Sequence, residues 1–272
     1  MAIDDKMMTE DGRTGDGLPW VDRLVCSFLR QGLWIVLIPL FLFVSLPFLA
    51  PIAMAAGWTR IGIAINTIFI PFCHQLPQRS WFFFGDQLTY SLQEINQSYA
   101  SMDPWQLRFF YGTPEMGWRV AWSDRMISFY FMTPVFGIIY ALLRKQGRSI
   151  NPLPLKIFLL TLLPLALDGL SHVANDLLYG ISTGGFRDTN AWLAALTGNA
   201  FPALYAGDHL GTFNWWARLL TGLLAAWGTA FYLFPWLDRL LGEEYDRTCS
   251  GRLRSDYSGN RQDWETGDAH NG

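Results

Sequence analysis

Between Leu33 and Ala56 the chain reads LWIVLIPLFLFVSLPFLAPIAMAA, without one charged side chain. At 1.5 Å per residue a helix of this run is roughly 36 Å long, enough to cross a hydrocarbon core of ~30 Å even when tilted. In lipid the backbone has no water to satisfy its N–H and C=O groups, so a spanning segment of this kind folds as a helix. Pro39, Pro47 and Pro51 interrupt the run and predict a kink or an early end. Three further apolar runs follow, at 127–143, 157–175 and 219–237, the third carrying one acid, Asp168. The expectation is an all-α, polytopic integral membrane protein with about four transmembrane helices. Its membrane domain covers 31–241, between a cytoplasmic N-terminal segment (1–30) and a polar cytoplasmic tail (242–272).

The stretch Ile61–Phe72 is apolar but too short to span, and reads as a re-entrant or interfacial segment. The distribution of basic residues supports that choice. With four spans and the N-terminus inside, the cytoplasmic pieces hold thirteen of the 20 Lys and Arg and the outer pieces seven. A fifth span would place the short Arg144–Arg148 loop outside, against the positive-inside rule. The chain is therefore expected in the inner (plasma) membrane, multi-pass, with both termini cytoplasmic. Two long outer loops result, 57–126 and 176–214. The first carries the aromatic run Trp81–Phe84, and Asp103-Pro104, a helix N-cap followed by proline at the first helical position. The acidic N-terminus does not read as a signal peptide.

Composition narrows the function classes. Charged residues make up 16% of the chain, against about 25% in soluble domains. Thirteen Trp fit a chain with membrane interfaces. A net charge of −3 without a basic cluster points away from nucleic acid. Of the three cysteines, none forms a CxxC pair. This topology puts Cys26 and Cys249 in the cytoplasm and Cys73 on the far side, so a structural disulfide is not expected.

Ionisable groups beside lipid are costly and mark candidate sites. Polar and ionisable groups gather near the outer level: Cys73 and His74 in the first loop, Arg125 at the mouth of the second span, Asp168 in the third, and Asn214 and Arg218 at the mouth of the fourth. The simplest reading is a buried ion pair between Asp168 and an arginine, Arg218 before Arg125, joining helices. Asp168, His172 and Asp176 also recur at steps of four on one helical face. With His74, or His209, they make a candidate set of ligands for a divalent metal, the one cofactor the sequence suggests. Cys73 reads as a small buried hydrophobe and Asp208-His209 as ordinary loop.

The segment Cys73-His74-Gln75-Leu-Pro77-Gln-Arg79-Ser80, followed by aromatics and Gly85, resembles the opening motif of the membrane proteins grouped as domain of unknown function 2085. The likeness continues at Leu163-Pro164-Leu-Ala-Leu-Asp168-Gly169-Leu170 and at Thr212-Phe-Asn214-Trp-Trp-Ala-Arg218-Leu-Leu-Thr221-Gly222. It covers about residues 60–230 and implies a helical membrane architecture without naming an activity. Family members carry a Cys-x-Arg-Cys segment where this chain reads Ser123-Asp124-Arg125-Met126, so the arginine is present and both cysteines are absent.

Three functions follow as expectations. The first is a non-catalytic subunit or scaffold of a larger membrane assembly, with lipid and other membrane subunits, or further copies of itself, as partners. The alternatives are a transporter of small solutes or ions, and a metal-dependent membrane enzyme acting at the outer leaflet.

Overall fold

A computed structural model of the chain describes residues 20–101, 103–181 and 184–250. The helices are α1 (Trp20–Ser45), α2 (Leu49–Ala55), α3 (Thr59–Ile68), α4 (Leu92–Ser98), α5 (Pro104–Leu107), α6 (Asp124–Met126), α7 (Met132–Lys145), α8 (Leu155–Tyr179), α9 (Phe186–Thr189), α10 (Ala191–Leu196), α11 (Pro202–Tyr205) and α12 (Phe213–Tyr245). Three strands, β1 (Ser80–Phe83), β2 (Gly112–Thr113) and β3 (Gly117–Ser123), form an antiparallel sheet in the order β1-β3-β2. Four helical segments are long and apolar enough to cross a membrane: Trp20–Ala55, Asp124–Lys145, Leu155–Tyr179 and Phe213–Cys249. The protein is thus all-α and polytopic, with a small sheet that the sequence did not announce. The chain divides into two compact units, Leu37–Leu233 and the pair of end segments Met1–Val36 and Phe234–Gly272.

The spans extend beyond the apolar runs that reveal them. α1 begins at Trp20, so the helix reaches into the N-terminal segment, 1–30, that precedes the apolar run. α12 continues to Tyr245 and a π-helical turn to Ser250, past the expected boundary at 242. The rest of the two terminal segments lies outside the described residues. α1 runs through Pro39 and gives way to a 3-10 turn at Leu46–Phe48, where Pro47 removes a backbone donor. The apolar segment Thr59–Phe72 folds back on α2, where Gly62 lies against Met54 and the Ala50 carbonyl.

In the end-segment unit, Cys26 and Cys249 are joined by a disulfide with Cα atoms 6.0 Å apart. This corrects the expectation of no disulfide. That expectation rested on compartment alone, whereas the geometry brings the N-terminal part of α1 and the turn after α12 within bonding range. Gly32 lies directly against the Leu241 side chain in the same unit.

Within Leu37–Leu233 the spans pack through small residues, as helices do when lipid supplies no hydrophobic contrast. Ala225, Ala226 and Ala230 of α12 are fully buried. Gly222 receives Ser128, and Gly228 receives Thr161 of α8. The buried residues of α8 are all polar (Thr161, Asp168, His172, Asn175), while most of its leucines are exposed. A soluble amphipathic helix has the opposite arrangement; here the apolar face suits lipid and the polar face builds the interior.

The loop between α3 and α6 carries its own core. β3 is buried on both sides, and Val120, Ala121 and Trp122 pack with Ala50, Phe69, Cys73 and Ile127. The Trp122 indole donates to the Val44 carbonyl at 3.0 Å and ties the sheet to α1. Leu76, Phe82, Tyr90, Ile95, Leu107, Phe110 and Met116 form a second cluster. Gly117 (φ +77°) makes the hairpin possible, since a Cβ there would meet Phe83 O and Gly85 N. As expected, Asp103 caps α5, accepting the Trp105 N–H at 2.9 Å.

Candidate functional site

The polar residues singled out in the sequence meet in a network of alternating arginines and aspartates. Asp208 is its centre. Its Oδ2 accepts from Arg79 Nε at 2.9 Å and its Oδ1 from Arg218 Nη1 at 2.6 Å. Arg79 in turn forks onto Asp176 of α8, at 2.8 and 3.0 Å. Arg218 Nε reaches both oxygens of Asp124, at 2.9 and 2.8 Å, and Nη2 donates to the Asp208 carbonyl at 2.6 Å. The result is one relay, Asp176–Arg79–Asp208–Arg218–Asp124, running from α8 through the 3-10 turn at Pro77–Arg79 and the loop before α12 to the first residue of α6. Arg218 and Asp124 have side chains only 2% and 1% exposed.

A second, shorter relay lies on the same helix. Asp168 accepts from Arg125 Nη2 on Oδ2 and from Arg187 Nη2 on Oδ1, each at 2.6 Å. Arg187 Nη2 also lies 2.9 Å from His172 Nε2. A guanidinium can only donate, so Nε2 is the acceptor and the ring carries its proton on Nδ1. Asparagines hold Arg187 in place. Asn175 Oδ1 accepts its backbone N–H at 2.8 Å, and Asn190 and Asn214 donate to its carbonyl at 2.8 and 2.6 Å. Asn190 itself takes the left-handed conformation, φ 44°, that lets α10 follow α9 directly. Gly185 is required here by space: a Cβ would collide with the Asn175 amide.

The two relays balance. The five-membered one has three aspartates and two arginines, the three-membered one two arginines and one aspartate, so together they are neutral. Burial alone would push the Asp208 carboxyl up, but Arg79 and then Arg218 hold it well below the usual carboxylate range. For Arg79, burial opposes the charge, yet Asp208 and Asp176 together raise it above the ordinary guanidinium value. Burial lowers Arg187, with Asp168 partly opposing it.

The Cys73–Gln75 segment is organised by a different arginine. Arg119 of β3 is fully buried and donates to the Gln75 carbonyl, to Gln75 Oε1 and Asn66 Oδ1 at 3.1 Å, and to the Arg108 carbonyl at 2.9 Å. With carbonyls in place of a carboxylate, burial pushes it down to about 10. These bonds hold Gln75 at φ 53°, a conformation that costs a non-glycine residue about 1–3 kcal/mol. Cys73 is buried, as expected. Its thiol lies 3.4 Å from Ser123 Oγ, and its sulfur accepts the Gln75 N–H at 3.4 Å.

Over the network opens a cavity of about 480 Å³, within the range of small-molecule sites. Cys73, His74, Gln75, Arg79, Arg125 and Arg218 line it, together with His172 and Asp176; Asp168 and Asn214 are not part of the lining. Three sequence readings are corrected. Asp168 pairs with Arg125, one of the two arginines expected, and with Arg187; the preference for Arg218 is overturned, because Asp124 and Asp208 occupy that guanidinium. Asp208 is not ordinary loop. The proposed metal ligands do not converge: no group of three His, Cys, Asp or Glu suited to a metal exists among the described residues. His74 is exposed, Asp176 is held by Arg79, and Asp168 by two arginines.

The sequence reading missed Asp124, Arg187 and Asp208. A charge count could have found two of them. Arg79, Arg125 and Arg218 at one membrane level need more acids than Asp168 and Asp176 supply, and Asp124 and Asp208 are the acids nearest in sequence to Arg125 and Arg218.

A double-mutant cycle tests the pairing. Asp168→Ala combined with Arg187→Met should be less unstable in detergent than the sum of the single variants, by ~1–3 kcal/mol. Asp168→Ala with Arg218→Leu, which share no partner, should come closer to additivity. Stronger coupling of Asp168 to Arg218 than to Arg187 would contradict the geometry.

No protein-family model, no curated protein and no solved structure matches the chain, so its function is argued from this geometry.

Proposed function

We propose that the chain is a non-catalytic subunit of a larger membrane assembly, in which the ion network fixes two long loops as a docking platform. The observation that carries this reading is that those loops expose large apolar side chains outside the spans. Trp105 is 70% exposed and Leu196 77%, with Phe84 and Phe201 similarly uncovered. Ordered loops ending in such residues suit a protein partner. The acids and arginines between the loops are engaged with one another, a role in holding elements together. The likeness to the domain of unknown function 2085 family is part of this proposal. It is supported by Arg79, Asp168 and Arg218, one from each of the three matching segments, all belonging to the same two relays.

Extraction in mild detergent tests the reading. The protein should elute with other subunits, or further copies of itself, at fixed stoichiometry, and Trp105→Asp with Leu196→Asp should reduce that association while leaving the thermal transition in place. A monodisperse single chain, unchanged by the two substitutions, would contradict it.

The orientation proposed is both termini in the cytoplasm of the inner (plasma) membrane, on the thirteen-to-seven basic asymmetry. Cys26 and Cys249 then lie on the same side of the membrane, as the disulfide between them requires. A variant with Cys249 as its single cysteine should react with an impermeant maleimide only after cells are permeabilised. Labelling of intact cells would reverse the topology.

A further inference from the structure

The cavity above the relays has a chemical bias that the subunit reading does not use. Three residues of its lining have a buried N–H without an acceptor among the described residues: Arg108 Nε, Arg125 Nε and His172 Nδ1. All three atoms are donors. The acceptors left unpaired elsewhere, such as Gln78 Oε1 and Asn190 Oδ1, belong to residues outside this lining. His172 is 3% exposed, and its Nδ1 must carry the proton because Arg187 occupies Nε2. A buried donor without a partner costs free energy, so three around one cavity call for a ligand rich in acceptors.

Charge gives the same answer. The four arginines of the relays are matched by four aspartates. Among the arginines that line the cavity Arg108 is the surplus: it has no carboxylate partner among the described residues, and its guanidinium lies 5.0 Å over the Trp105 ring. The two aspartates of the lining, Asp124 and Asp176, are already paired with Arg218 and Arg79, and Met126, Val173, Leu177 and Trp105 supply an apolar side to the wall. Leu177 is 80% exposed and sits near the end of a helix long and apolar enough to span a membrane.

We propose that this cavity binds an anionic amphiphile, its oxyanion headgroup taken by Arg108, Arg125 and His172 and its hydrocarbon chain lying along Val173 and Leu177. Guanidinium forks suit phosphate and carboxylate oxygens, and a neutral imidazole N–H adds a donor without a charge to be balanced. The proposal is independent of the subunit reading. A scaffold could hold a lipid, and a lipid site would stand if no partner copurified.

Binding of a fluorescent phosphatidic acid to the purified full chain in uncharged detergent tests it. Saturable binding is expected, with phosphatidylcholine at least ~10-fold weaker, in keeping with the loss of charge-assisted bonds. Arg108→Gln should weaken binding on the order of tenfold, while Arg148→Gln, an exposed arginine outside the cavity, should leave it unchanged. Should Arg108→Gln fail to fold, Leu177→Glu provides the second reading: it alters only an exposed side chain on the chain path and should also weaken binding. Equal affinity for the two lipids, or full binding by the cavity variants, would overturn the proposal. So would displacement by inorganic phosphate at the same concentration as by lipid, which would make the site one for a free anion.

Discussion

The carboxylate of Asp208 lies between two guanidiniums, and much of the structure outside the spans depends on that bridge. On one side Arg79 carries it to Asp176 of α8; on the other Arg218 carries it to Asp124 at the start of α6. Four separate stretches of chain are thereby fixed to one another. None of these links would be stable alone at such burial, because a charge removed from water without its partner is far costlier than a paired one. Joined, they neutralise one another, and α8 can bury Asp168, His172 and Asn175 on its inner face while showing leucine outward. All seven basic residues placed in the outer segments are arginines. A planar fork can serve two carboxylates at once, as Arg79 and Arg218 do, where an ammonium would act as a point charge.

Arg119 extends the same logic to the sheet. Buried among carbonyls, it determines the path of the Cys73–Gln75 turn and so the floor of the cavity. The cavity is then the space over the two relays and beside this turn. Its lining inherits their arginines, and Arg108 adds a cation that no acid answers. The pinned loops and the amphiphile site are thus two consequences of one arrangement.

The spans were legible because uncharged runs of this length have few other folds. Their ends were not, since α1 and α12 continue through residues such as Arg23, Asp238 and Glu243 whose polarity ends the run but not the helix. The sheet was hidden because its pairing is distant: Ser80 opposes Ser123, and neither SWFF nor GWRVAWS alternates cleanly. Arg125, Asp168, Asn214 and Arg218 were legible as neighbours from their level along the helices, whereas Gln75 and Arg79 came only with the motif around Cys73. Which acid meets which arginine was out of reach, since side-chain direction depends on loop paths. Arg187, placed by Asn175, Asn190 and Asn214, shows this most clearly. The disulfide was missed for another reason: compartment was argued where the approach of two helix ends decided the matter.

Hydrogen exchange of Asp208→Asn tests the central claim, that one carboxylate holds the separate loops together. The Arg79 amide bonds to the Leu76 carbonyl, the Thr189 amide to the Gly185 carbonyl, and the Gly207 and Leu210 amides to the Asp188 carbonyl and Thr89 Oγ1, so protected amides lie on three separate stretches of chain. With the bridge weakened, peptides covering 76–83, 186–190 and 206–212 should all exchange faster, while those from the middle of α12 keep their protection. Faster exchange confined to 206–212 would mean that Asp208 stabilises only its own loop, and would contradict the account.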